Sequence, residues 1–113
     1  MALILAYANR GLTRDITIQD INGNAIVPGA ADKIRAVIGR EGETAKLTVT
    51  SDAATANGSS FTKGTANRLR LDASDLALMD SGVYSIQIDF YDSHDVAEWK
   101  CVSKQVFVLE ASL

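Results

Sequence analysis

Apolar and polar residues alternate along most of this chain. From Val83 to Tyr91 the even positions Tyr84, Ile86, Ile88 and Phe90 are apolar, and Ser85, Gln87 and Asp89 stand between them. Successive side chains of a strand point to opposite faces, so this spacing predicts a strand with one face on a core and the other in water. The same period recurs in shorter runs. Ile16 and Ile18 alternate with Asp15, Thr17 and Gln19; Ile34, Ala36 and Ile38 with Lys33 and Arg35; Leu47 and Val49 with Lys46, Thr48 and Thr50; Leu69 and Leu71 with Arg68 and Arg70. Short alternating runs separated by turn residues predict an all-β chain.

The turns are equally readable. Asn22, Gly23 and Asn24 tolerate positive φ and should reverse the chain after Ile21. Pro28 and Gly29 favour a second turn, and Gly39 to Gly42 links two strands. Ala53 to Ser60 is small and polar and reads as a loop, and Asp92 to Asp95 reads as a hairpin tip. The final strand, Ala97 to Leu109, changes phase: Trp99 and Cys101 share one parity, Val106 and Val108 the other. A β-bulge near Ser103 would reconcile them, because one extra residue flips the facing. Asp72 to Met79 breaks the period and predicts a single helical turn after a Ser74 cap. The expected core brings Tyr84, Ile86, Ile88, Phe90 and Trp99 inward together, with Phe107 also buried. Tyr7, Phe61 and Tyr91 are then the remaining aromatics.

The first residues behave differently. Leu3, Ile4, Leu5 and Tyr7 are apolar on both parities, so both faces of this segment call for cover. One sheet of a small domain supplies one face; a neighbouring copy or another protein would supply the second. Leu3, Ile4, Leu5 and Tyr7 are therefore the candidate interface. The competing arrangement is a buried central strand closed over by the Ala53 to Ser60 loop.

With 113 residues, 47% of them hydrophobic and 22% charged, the chain suits one globular domain over 1–113, with 1–8 as an arm or edge strand. A single cysteine, Cys101, excludes an intrachain disulfide. Ala6, Tyr7 and Ala8 imitate a signal-cleavage site, but no Lys or Arg precedes the short apolar run, so no signal peptide is expected. No apolar stretch approaches the roughly 18 residues of a membrane span. A net charge of −3 argues against a general grip on nucleic acid. Arg10, Arg14, Lys33, Arg35, Arg40 and Lys46 are balanced by Asp15, Asp20, Asp32, Glu41, Glu43 and Asp52, which leaves the surplus negative charge in the second half. Such asymmetry suits docking between copies or onto a partner more than binding nucleic acid.

Candidate chemistry is sparse. The lone histidine, His94, belongs to the expected hairpin tip, far along the strand from Cys101, so the two do not form a nucleophile and base. Asp89, Asp92, His94, Asp95 and Glu98 cluster in sequence, but their spacing is not that of a calcium loop, and Asp89 and Glu98 fall on strand faces. No phosphate-binding glycine loop follows any strand. No catalytic residue, metal or cofactor is expected.

Leu69 and Leu71, then Leu76, then Asp80, Gly82 and Tyr84 resemble the segment that ends strand E and begins strand F of immunoglobulin-like domains. The resemblance implies a structural corner in which Asp80 and Gly82 shape the turn and the Tyr84 hydroxyl bonds back to nearby backbone. Ile86 stands where antibody domains carry a cysteine, and Trp99 follows the motif instead of preceding it. The implied fold is an Ig-like β-sandwich of about seven antiparallel strands with one short helical turn. A second resemblance rests on Asp32 to Ile38, Leu69 to Leu71, Asp80 to Tyr84 and Val106 to Leu109. These segments resemble small β-sandwich modules of tailed-phage virions, such as the N-terminal domains of baseplate upper proteins. That likeness implies a non-enzymatic virion protein, assembled in the host cytoplasm. It would be a tail or baseplate accessory or a capsid decoration protein, and a homo-oligomer whose partners are other virion proteins and copies of itself. The alternative is a carbohydrate- or ligand-binding sandwich, which needs a platform of exposed aromatics.

Overall fold

The computed structural model describes residues 3–20, 22–93 and 98–112. Met1, Ala2 and Ile21, together with His94, Asp95 and Ala97 of the expected hairpin, lie outside the described residues. Ten strands and one helical turn occur among those described: β1 (Leu3–Tyr7), β2 (Leu12–Ile16), β3 (Ile18–Gln19), β4 (Ala25–Ile26), β5 (Lys33–Gly39), β6 (Leu47–Thr50), β7 (Ser60–Thr62), β8 (Asn67–Leu71), α1 (Ala73–Leu76), β9 (Gly82–Tyr91) and β10 (Trp99–Glu110). The class is all-β. The count exceeds seven because the Ile16 and Ile18 run leaves β8 after Ile16 and begins a separate small ladder, β3 with β4.

A five-stranded sheet runs in the order β1-β10-β9-β5-β6, and a three-stranded sheet in the order β2-β8-β7. The alternating rows converge on one core. Ile34, Ala36 and Ile38 of β5, Val49 of β6, Tyr84, Ile86, Ile88 and Phe90 of β9, and Phe107 and Leu109 of β10 meet Ile16, Phe61, Leu69 and Leu71 of the smaller sheet. Leu76 of α1 joins the same cluster. The period of two in β5, β8 and β9 thus maps onto burial, Asp89 of β9 being the one exception.

Not every strand is antiparallel. β1 pairs parallel to β10, from Leu3 beside Val106 to Tyr7 beside Glu110. A parallel neighbour needs a long crossover, and here the whole intervening chain provides it. Turns lie where turn residues stand: Gly23 has φ 83° and donates to the Asp20 carbonyl, and Gly42 has φ 77°. The helical turn is capped by Asp72, not Ser74. The Asp72 carboxylate accepts from the Ser74 amide, and Asp72 keeps extended backbone while residue 73 enters the turn.

The register of β9 and β10 shifts between Cys101 and Ser103. This bulge puts Trp99 and Cys101 on one face with Val106 and Val108, but that face is the outer one. Trp99 lies beside Tyr91, and Phe107 beside Tyr84. Trp99 is therefore half-buried outside the core, contrary to its expected inward position. Phe61 is corrected in the opposite sense: it pairs with Leu69 and is buried.

Candidate interaction surface

The outer face of the five-stranded sheet holds most of the unusual side chains, and its two ends differ. At the end nearer the 92–98 connection, Asp89 is buried although it carries a charge. Arg35 Nε donates to its Oδ2 at 2.8 Å and Gln87 Nε2 to its Oδ1 at 2.8 Å. The Arg35 guanidinium lies 4.3 Å from the centre of the Trp99 ring, and Trp99 packs on Tyr91 at 5.6 Å. Lys33 caps the Tyr91 ring at 5.4 Å. Cation and ring satisfy each other in such stacks, so these groups need nothing from outside.

The other end is apolar. Leu3 of β1 sits beside Val106 of β10, which sits beside Ser85 of β9; one row further, Leu5 sits beside Val108, which sits beside Val83. Leu3 is 54% exposed, Leu5 41% and Val83 62%. Their inward neighbours Ile4 and Ala6 are 1% and 2% exposed. The terminal segment is thus an edge strand with one face in the protein's own core and one face bare. Ile4 drops out of the candidate interface because it is core; Leu3 and Leu5 remain on the surface, and Tyr7 is half-buried beside Glu110. The competing arrangement, a central strand under the 53–60 loop, does not occur.

The corner lies at the start of β9. Tyr84 is buried, its hydroxyl donates to the Asp80 carbonyl at 2.5 Å, and its ring meets Phe107 edge-on at 6.5 Å. Gly82 has φ 148°, a backbone state that favours glycine, and a Cβ there would stand 2.9 Å from Arg40 Nη2. Arg40 is held because its guanidinium covers the Tyr84 ring at 4.3 Å.

A second buried carboxylate ties down the 53–60 loop. Asp75, on α1, accepts from Ser59 Oγ at 2.5 Å, Thr55 Oγ1 at 2.6 Å and Asn57 Nδ2 at 3.0 Å. Ser59 Oγ in turn accepts from the Asp72 amide. Burial pushes the Asp75 carboxyl up, but the hydroxyls of Ser59 and Thr55 and the Asn57 amide together outweigh it. The net result is a value below the ordinary carboxylate range. Sequence reasoning missed this clasp. Its signal was the run of short polar side chains at Thr55, Asn57 and Ser59, each able to reach back to one acceptor. Lys63 makes a third tie, its ammonium donating to the carbonyls of Gly29, Ala30 and Asp32.

Among the described residues no cluster of His, Cys, Asp or Glu is arranged to hold a metal ion. Cys101 is exposed on β10. An open groove of roughly 230 Å³ runs over Val37, Ser85 and Gln87, walled by Arg40, Glu41 and Lys104. No protein-family model matches the chain, and no curated protein matches it in sequence.

Proposed function

We propose that this chain is a non-enzymatic structural module that works as a bound copy in a larger assembly, of the kind found in tailed-phage virions. One observation carries the reading: Leu3, Leu5 and Val83 stand bare on the outer face, in register with Val106 and Val108. Contiguous apolar surface on a small domain marks a contact with another protein. We read the fold as Ig-like. The order β10-β9-β5-β6 follows strands G, F, C and C′ of a variable-type sandwich, and β2-β8-β7 follows B, E and D. The Tyr84 hydroxyl bond to Asp80 supports the same reading. The virion setting, in a tail, baseplate or capsid shell, rests on the sequence resemblance.

The ligand-binding alternative gains Trp99, which faces outward, but both Arg35 and Tyr91 already pack on that ring. Phe61, counted among the free aromatics, is core.

Co-expression with its flanking reading frames, followed by sedimentation, tests the proposal. The chain should travel with a particle, and the Leu3→Ser/Leu5→Ser double variant should stay folded but remain in the supernatant. A wild-type chain that stays free of every particle overturns it.

A further inference from the structure

β10 carries a self-complementary pattern on its outer face. Beyond the bulge, Lys104, Val106, Val108 and Glu110 alternate with the inward Gln105, Phe107 and Leu109. Read along the strand, the outer row is cation, apolar, apolar, anion. Lys104 and Glu110 are both exposed, and between them the row is uncharged. Leu3 and Leu5 extend the apolar middle on one side and Val83 on the other, where Ser85 stands beside Val106.

We propose that a second copy of this chain docks on that face, sheet against sheet, with the two β10 strands antiparallel about a dyad at Phe107. This rests on the assembly reading above and names its partner. The arrangement stacks Val106 on the partner's Val108, Leu3 on the partner's Leu5, and Lys104 on the partner's Glu110, with each contact made twice. Docking the strands parallel would bring lysine to lysine and glutamate to glutamate, so charge selects the antiparallel form. A two-fold contact uses the same patch on both copies, which requires this kind of palindromic order. The span from Lys104 to Glu110 is about 20 Å at 3.4 Å per residue, the length of an ordinary strand contact.

Lys104 already lies 3.3 Å from Glu41, whose side chain is 90% exposed. An exposed pair of that kind holds its lysine weakly, and an ammonium has three protons to share. Edge-to-edge addition of β1 is the competing geometry, since β1 is an uncharged edge with no proline. It makes no use of Lys104 and Glu110.

Sedimentation equilibrium on the purified chain distinguishes these outcomes. Wild type should dimerise, and Leu5→Lys should be monomeric with the melting temperature of dilute, monomeric wild type. Lys104→Glu alone and Glu110→Lys alone should each weaken the dimer at least about tenfold at low salt, and the double variant should restore it. Salt near 1 M should shrink the differences among the charge variants, because screening then acts within about 3 Å. A monomeric wild-type chain at high concentration overturns the proposal. So does a dimer indifferent to both single reversals, or single reversals that the double variant fails to rescue. The assembly reading is judged separately: a chain that is monomeric alone but travels with a particle removes this inference and keeps that reading.

Discussion

At one end of the outer face, Asp89, Arg35, Trp99, Tyr91 and Lys33 complete one another; at the other, Leu3, Leu5 and Val83 meet solvent around the half-buried Val106. Both ends share β9 and β10 and lie over the same core, the polar end reaching onto β5 and the apolar end onto β1. The polar end spends its charged groups on internal contacts and offers a partner little. The apolar end contributes little to the fold through its outer side chains and leaves them free for association. A surface can thus be polar and closed, or apolar and available, within one sheet.

Cutting into the layer beneath both ends gives the largest expected effect. Ile88→Ala removes a buried side chain between Ala36 and Ser103 and should cost about 2–5 kcal/mol in chemical denaturation. Arg35→Ala should come next, at about 3 kcal/mol, because it strands the buried Asp89 carboxylate with only Gln87, among the described residues, to donate. Tyr84→Phe removes the hydroxyl that bonds Asp80 and should cost about 1 kcal/mol, with the ring contact kept. Leu5→Ser should stay within about 0.5 kcal/mol, as surface changes do, while still disturbing association. A larger loss at Leu5 than at Arg35 would break the contrast between the two ends.

Acid sharpens the same contrast, because Asp75 is a closed polar site of the Asp89 kind. Its carboxyl titrates lower in the native state than the ordinary value near 3.9 of an unfolded chain. The stability it contributes is therefore present above about pH 4 and is lost as pH falls through the lowered native value. A pH series of melting temperatures should show this loss below about pH 4, and Asp75→Asn should flatten that part of the curve.

Much of the inner layer was legible because burial on one face imposes a period of two. Ile34, Ala36 and Ile38, and Tyr84 through Phe90, could be assigned from alternation alone. The bulge was legible too, since Trp99 and Val106 disagree in parity. Which face the bulge served was not. Trp99 has the bulk of a core residue, but its ring also suits a cation, and Arg35 comes alongside only through pairing with β9. Phe61 sits in a strand of three residues, too short to show a period. The parallel placement of β1 depends on contacts across the chain, which local pattern does not encode. Its bare outer face was foreshadowed by Leu3 and Leu5 matching the hydrophobicity of Ile4.

The β1–β10 ladder also sets an order of events. Leu3 and Val106 lie far apart along the chain, so β1 has no sheet neighbour until β10 has been synthesised. While the chain grows on the ribosome, Ile4 and Ala6 wait exposed for a core that Phe107 and Leu109 must help complete. Contacts this remote along the chain form slowly. The five-stranded sheet therefore closes only once β10 is in place, and β1 is among the last of its strands to lock.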